Sequence, residues 1–226
     1  MDDLKYRFFC DFDGTVTKED VIDRILEEFA DPAWREIEQS WVIGDIGSRD
    51  CLATQTRLIK AKKKDLFEFV EGIAIDETFI DFAIYCKNKN IKIAVLSDGV
   101  DLFIKSILNR WGLKDIEVFS NGLAHTNGHF EMTFPYFRKD CSSQSGICKC
   151  RVMEELSSPE EINVLVGDGR SDFCVASRAY LTFAKSTLLD FCGSEKIPYI
   201  EYREFGDITR WLRNQARQDS AAAQGT

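Results

Sequence analysis

Short apolar runs and helical periods alternate along most of this chain. Tyr6 to Cys10 is an aromatic run that stops at Asp11-Phe12-Asp13-Gly14. Ile91 to Leu96, Ile116 to Phe119, Ile162 to Val166 and Tyr180 to Ala184 are similar, being short, β-branched or aromatic, and bounded by Gly, Asp or Ser. Runs that stay apolar instead of alternating suit strands buried on both faces. Between them apolar residues recur at intervals of three and four: Phe79, Ile80, Ala83 and Ile84 before the second run, and Leu102, Phe103, Ile107 and Leu108 after it. Strand and helix in alternation predict an α/β fold with a Rossmann-like parallel sheet.

Thr17 to Ala74 breaks the rhythm. Its apolar positions (Val21, Ile22, Ile25, Leu26 and Phe29, then Trp34, Ile37 and Trp41, then Leu52 to Ile59) keep helical spacing and contain no strand run. An all-helical insert directly after the first strand would stand over the carboxyl ends of the strands, where open α/β sheets bind ligands, so it is a lid candidate. Trp34 and Trp41 are expected in its core. Val118 to Phe134 carries Asn121-Gly122 and Asn127-Gly128 amid alternating residues, a hairpin signal. The expected organisation is a core of 1–16 and 77–218, a helical cap of 17–76, and a disordered tail of 219–226.

Length and charge narrow the class. A chain of 226 residues fits one large domain or a core with a modest insert, and its 44% hydrophobic content, with 17 Phe, is ample for a core. The net charge of −9 opposes a broad nucleic-acid or acidic-membrane surface, so any anionic ligand must be held by a few local cations. No charge-free stretch approaches the roughly 20 apolar residues of a membrane span, and the first ten residues lack the regions of a signal peptide. A soluble cytoplasmic protein is expected, as monomer or homodimer. Cys10, Cys51, Cys86, Cys174 and Cys192 sit singly among apolar neighbours as core thiols would, whereas Cys141, Cys148 and Cys150 cluster.

The chemistry gathers at strand ends. Asp11-Phe12-Asp13-Gly14-Thr15, Ser97-Asp98-Gly99 and Gly167-Asp168-Gly169-Arg170-Ser171-Asp172 each follow a predicted strand. Asp and Gly favour such turns for backbone reasons alone. Three acid-rich turns at one sheet edge, however, repel one another unless a cation lies between them. Mg²⁺ suits that place, since it takes oxygen from carboxylates and a substrate phosphate. A carboxylate can also attack phosphorus, and a second one two residues on can protonate the leaving alkoxide and then activate water.

Asp11-Phe12-Asp13-Gly14-Thr15, Ser97, Lys149 and Gly167-Asp168-Gly169-x-x-Asp172 resemble the four ordered motifs of haloacid dehalogenase-superfamily phosphatases, over nearly the whole chain. The resemblance implies Asp11 as nucleophile and metal ligand. It implies Asp13 as general acid and base that also gives its carbonyl to Mg²⁺, with Asp168 and Asp172 at the metal. It implies a small phosphorylated metabolite as partner, whose phosphate Thr15, Ser97, Asp98 and the Gly99 amide would meet. Lys149 lies in a basic stretch of the kind usually explained as a solvated patch, but its place at the start of the helix before the fourth motif favours a role neutralising the transition state beside Asp11.

A helical cap after the first motif and the GDGRSD form of the fourth are similar to the phosphoserine phosphatase-like branch. That branch clamps its amino acid with Glu and Arg where this chain has Asp20 and Gln55, and Gln cannot make a bidentate carboxylate clamp. Thr17-x-x-Asp20 also resembles a capping box. Trp34, Gly44-Asp45-Ile46-x-Ser48-Arg49, Cys148-Lys149-Cys150 and Phe183-Ala184-Lys185 resemble the 2-hydroxy-3-keto-5-methylthiopentenyl-1-phosphate phosphatases of methionine salvage. Phosphoserine phosphatase and a non-catalytic phosphate-ester-binding regulator are the alternatives. Arg49 and Arg170 could each meet an anionic oxygen or solvent. Cys141, Cys148 and Cys150 with His125 and His129 raise zinc, although the spacing contains no CxxC pair.

Overall fold

The computed structural model describes residues 5–126, 128–141 and 143–224, with side chains as far as residue 218. A seven-stranded sheet forms the centre, in the order β4-β3-β2-β1-β5-β6-β7. Its strands are β1 (Lys5–Cys10), β2 (Lys92–Val100), β3 (Glu117–Thr126), β4 (His129–Thr133), β5 (Glu161–Gly167), β6 (Leu181–Ala184) and β7 (Tyr199–Glu201). All neighbours are parallel except β3 and β4.

Strand β1 lies in the middle, with Phe8 opposite Ile93 on β2 and Val164 on β5. Successive side chains of a strand point to opposite faces, so Phe8 and Phe9 enter two different cores, and both are fully buried. The Phe8 side holds α5 (Thr78–Asn88), α6 (Asp101–Arg110) and α10 (Phe205–Gln224), with Phe8 edge-on to Phe82 at 5.1 Å and Phe79 edge-on to Phe205 at 4.7 Å. The Phe9 side holds α7 (Lys149–Leu156), α8 (Phe173–Ala176) and α9 (Ser186–Glu195) around Leu165, Met153 and Leu188. Each buried Phe contributes about 1.5–3 kcal/mol relative to exposure.

The helical stretch between β1 and α5 comprises α1 (Val21–Phe29), α2 (Trp34–Val42), α3 (Ser48–Gln55), a 3₁₀ turn at Thr56–Leu58, and α4 (Lys63–Val70). Its two ends meet: Thr17 bridges Ile75, Lys18 N–H donates to the Ala74 carbonyl at 3.2 Å, and Asp76 N–H to that of Val16 at 2.9 Å. Three polar ties hold it over the strand ends. Ser48 Oγ donates to Asp98 Oδ2 at 2.9 Å, Arg170 Nη1 to the Val42 carbonyl at 3.0 Å, and Arg49 N–H to the Gln144 carbonyl at 3.4 Å. Among the described residues, no helix is long and apolar enough to cross a membrane.

Several expectations are corrected. β3 continues beyond Phe119 to Thr126 and pairs antiparallel with β4 as a hairpin, while Asn127 of the expected Asn127-Gly128 turn lies outside the described residues. Asn121-Gly122 is inside β3, where Asn121 is buried and its Nδ2 donates to the Asp98 carbonyl at 2.6 Å. The tail from Asp219 is not disordered at its start, because α10 continues to Gln224. Three-residue β7 has too little periodicity to be read from sequence.

Candidate active site

Parallel strands β1, β2 and β5 end side by side, which brings the three acidic segments together; Ser97-Asp98-Gly99 is not a turn after its strand but lies within β2, where the register with β3 shifts between Ser97 and Val100. A cavity of about 1000 Å³ opens there, floored by Asp11, Asp13, Asp98 and Asp168 and roofed by α1 to α3. Asp11 follows β1 directly and its N–H donates to the Val166 carbonyl at 2.9 Å, so backbone pairing with β5 fixes it. Asp11 Oδ1 accepts the Phe12 N–H at 2.7 Å and lies 2.9 Å from Lys149 Nζ.

Lys149, first residue of α7, is 4% exposed. Its ammonium donates to Asp172 Oδ1 at 2.7 Å and to Ser171 Oγ at 2.9 Å, so one buried cation joins the first and fourth motifs. Burial works against its charge, but the Asp11 and Asp172 carboxylates outweigh it and hold its pKa above the ordinary lysine value. Asp172 is fully buried, and desolvation with the Asp11 charge pushes it up to about 8 against the pull of Lys149. Asp168 is raised by burial and by Asp11, with its Oδ1 accepting the Thr15 hydroxyl at 2.8 Å.

Asp11, Asp168 and Asp172 offer carboxylate oxygens that all lie within 4.8 Å of one another. Oxygen-only donors this crowded, with the Asp168 and Asp172 carboxyls raised, fit a hard divalent cation. Two glycines make the crowding possible. Gly14 has φ +70°, and a Cβ there would come 2.6 Å from Asp168 Oδ2, while a Cβ on Gly167 would come 2.2 Å from Asp172 Oδ2.

Asp13 stands beside this group. Its Oδ1 accepts the Val21 N–H of α1 at 2.9 Å and its Oδ2 the Ser97 hydroxyl at 3.0 Å. Burial, then the Asp20 charge, raises its pKa well above the usual carboxylate value. Ser97 Oγ in turn accepts the Gly99 N–H at 2.9 Å, so the pair expected to hold phosphate bonds to itself and to Asp13 here. Asp98 accepts Ser48 Oγ and, at 2.9 Å, the Ile147 N–H, and burial raises it. It ties insert, sheet and the loop before Lys149 together.

The structure separates Thr15 and Arg49 from the cavity lining and gives Asp20 a capping role. Thr15 is buried and gives its hydroxyl hydrogen to Asp168, so it orients a carboxylate instead of lining the pocket. Arg49 pairs with Asp50 Oδ1 through Nε at 2.8 Å and Nη2 at 2.6 Å, and its guanidinium lies 4.2 Å over the Phe137 ring. Asp20 caps α1 as its N-cap, accepting Asp23 N–H at 2.9 Å, so the cap lies one turn later than Thr17 suggests. Thr17 donates instead to the Glu19 carbonyl at 2.7 Å.

Asp20 also faces the cavity, as do Gln55, Asp23 and Glu38. Gln55 is 1% exposed, and its Nε2 donates to Glu38 Oε2 at 2.8 Å. Water reaches Asp20, yet crowding by the walls pushes it up to about 6, and desolvation with the Asp20 charge pushes Asp23 up to about 7. Asp23 and Glu38 escape sequence reading, although a carboxylate between Ile22 and Ile25 at three residues from Asp20 is a usable signal. Trp34 is buried in the helical stretch, whereas Trp41 lines the cavity beneath the Arg170 guanidinium at 5.7 Å.

The zinc expectation fares differently. Among the described residues, Cys141, Cys148, Cys150, His125 and His129 form no grouping of three ligand atoms as close as that of the aspartates. His125 lies against Phe130 in the hairpin with ring centroids 4.7 Å apart and tilted by 43°, and Cys150 Sγ lies 2.7 Å from Cys174 Sγ.

Comparison with known proteins agrees with this geometry. The chain is 27% identical to the 2-hydroxy-3-keto-5-methylthiopentenyl-1-phosphate phosphatase of Brevibacillus brevis, over 95% of this chain and 98% of that protein. It is 30% identical to the protein of the same name from Bacillus pumilus, over 88% and 87%. Among solved structures, a substrate-bound phosphoserine phosphatase superposes with TM-score 0.73 at 22% identity, covering 93% of this chain and 99% of that one. A phospho-aspartyl intermediate analogue of phosphoserine phosphatase gives 0.69 at 23%, covering 92% and 99%. Residues 8–182, which carry all four motifs, match the family described as Putative Phosphatase, and the chain belongs to that family.

Proposed function

We propose that the protein is a Mg²⁺-dependent phosphatase that hydrolyses a small phosphate monoester through an aspartyl phosphate on Asp11. The carrying observation is the placement of Asp11, with the Lys149 ammonium at 2.9 Å and the Asp168 and Asp172 carboxylates within 4.8 Å. Asp11, Asp168 and Asp172, with the Asp13 carbonyl, would hold the ion, which supplies positive charge beside the phosphate. An oxygen of Asp11 attacks phosphorus while the bond to the ester oxygen breaks, and Asp13 gives that oxygen a proton. Asp13 then takes a proton from water, whose oxygen attacks phosphorus and releases the Asp11 carboxylate with inorganic phosphate. Lys149 neutralises charge at Asp11 throughout.

Residues 17–76 act as the cap over a core formed by 1–16 and 77–218, excluding bulk water from the phosphoenzyme. The favoured substrate is the methionine-salvage enol phosphate that names the relatives. The Asp20, Asp23 and Glu38 wall favours a second reading, a phosphate ester with a cationic amine at its far end. Phosphoserine fits less well, because Arg49 is turned to Asp50 and Phe137 and Gln55 cannot clamp a carboxylate.

The test is phosphate release from an aryl phosphate by wild type and Asp11→Asn, with and without Mg²⁺. Comparable rates for the two proteins sink the proposal. A kcat/KM panel holding the enol phosphate, phosphoserine and amino-alcohol phosphates then separates the substrate readings.

A further inference from the structure

Cys150 and Cys174 play no part in the phosphatase chemistry, yet they occupy its frame. Cys150 directly follows Lys149 on α7, and Cys174 on α8 is two residues past Asp172. Their sulfurs approach to 2.7 Å, within about 0.7 Å of the length of a formed disulfide. Closing the bond therefore needs the two sulfurs to approach by only about 0.7 Å, a small shift of α7 against α8. Cys150 is 4% exposed, while Cys174 is partly exposed and lines both the site cavity and a second one of about 450 Å³. Cys141 and Cys148 line that second cavity too, but Cys141 Sγ is 3.1 Å from Ser143 Oγ.

We propose that Cys150 and Cys174 are a reversible dithiol–disulfide site, and that closing the bridge slows catalysis by displacing Lys149 from Asp11 and Asp172. The oxidant class is a small-molecule disulfide. The Cys174 sulfur attacks one of its sulfurs, breaking that S–S bond and expelling one thiol, which carries off the Cys174 proton. The Cys150 sulfur then attacks the Cys174 sulfur, breaking the mixed disulfide and expelling the second thiol with the Cys150 proton. Two protein thiols are oxidised and one small disulfide is reduced. Drawing the sulfurs together moves the backbone that carries Lys149, whose contacts at 2.7 and 2.9 Å have no slack. A displacement approaching 1 Å at such a site costs up to about 10²-fold, so a loss of about tenfold is expected for this smaller shift.

Full-length, Mg²⁺-loaded protein is incubated with glutathione disulfide, digested without reduction and mapped by mass spectrometry, with aryl phosphate turnover followed in parallel. Wild type should lose two hydrogens, yield a Cys150–Cys174 linked peptide, fall about tenfold in kcat, and recover with a dithiol. Cys150→Ser should stop at one glutathione held on Cys174. If Cys150→Ser folds poorly, the wild-type map alone decides. Glutathionylated wild type without an internal bridge, or a bridge to Cys141 or Cys148, overturns the pairing. A bridged wild type with unchanged kcat overturns the link to Lys149. The turnover readout rests on the phosphatase reading and the peptide map does not, so the two failures are distinguishable.

Discussion

Gly167→Ala tests whether the position of Asp172, and not merely its charge, sustains catalysis. Gly167 ends β5 with φ outside the left-handed region, so alanine costs the backbone little and acts by its methyl group alone. That carbon would sit 2.2 Å from Asp172 Oδ2 and 2.7 Å from its Cγ, against an ordinary contact of about 3.4 Å, so the carboxylate must retreat by about 1.2 Å. Leu188 Cδ2, at 3.1 Å from the same point, closes one route of relief. The retreat opens the 2.7 Å contact with Lys149 and the 3.3 Å bond from Asp168 N–H. Losing a charge-assisted hydrogen bond costs about 1.5–3 kcal/mol of stability, and a misplacement of this size about 10²-fold in rate. Stopped-flow phosphate release at saturating ester, a Mg²⁺ titration and a urea midpoint measure all three. Kcat should fall about a hundredfold and half-saturating Mg²⁺ should rise while the protein remains folded. A folded variant with wild-type kcat and Mg²⁺ dependence refutes the reasoning.

Asp13→Asn should lose about 10²–10⁴-fold on an alkyl ester and less on an aryl ester, whose leaving group needs little protonation, with phosphoenzyme trapped in acid quench. Arg49→Ala should leave kcat within about twofold, since its partners are Asp50 and Phe137 and not the cavity; steady-state kinetics check this. Burial opposes ionisation of Glu161, but Lys92 at 2.7 Å and Arg7 at 3.4 Å outweigh it and hold its pKa below the ordinary value. The pair therefore stabilises the fold at pH values above the unfolded glutamate pKa of about 4.3, and the gain is lost as pH falls through the lowered folded value. Glu161→Gln should cost about 2 kcal/mol at pH 7 and progressively less below about pH 4.5 in urea unfolding.

What sequence could show depended on whether a residue's partner is local. Asp11 and Asp168 were legible because each directly follows an apolar strand, and Asp98 because it lies in the last residues of another; parallel topology alone then brings them to one edge. Mutual position is another matter: that one ammonium joins Asp11 to Asp172 needs Lys149 to cross 138 and 23 positions of sequence, and only the motif resemblance indicated it. Arg49 shows the converse. Its neighbour in sequence, Asp50, and a ring 88 positions away, Phe137, take a guanidinium that could have served a ligand. Asn121-Gly122 has turn composition, but burial and a bond to the Asp98 carbonyl make it strand. Glu38 and Asp23 look like solvated helix positions until α1 and α2 are set over the cavity.

The three polar ties between the helical stretch and the strand ends set a time scale as well as a position. If the helical stretch lifts from the strand ends, releasing the Ser48, Arg170 and Arg49 bonds at about 1 kcal/mol each costs about 3 kcal/mol, which would hold that open form to about one molecule in a hundred. An ester that can enter only that form meets a correspondingly diluted enzyme. Its kcat/KM is capped at about 10⁶–10⁷ M⁻¹s⁻¹, a hundredth of the diffusional ceiling.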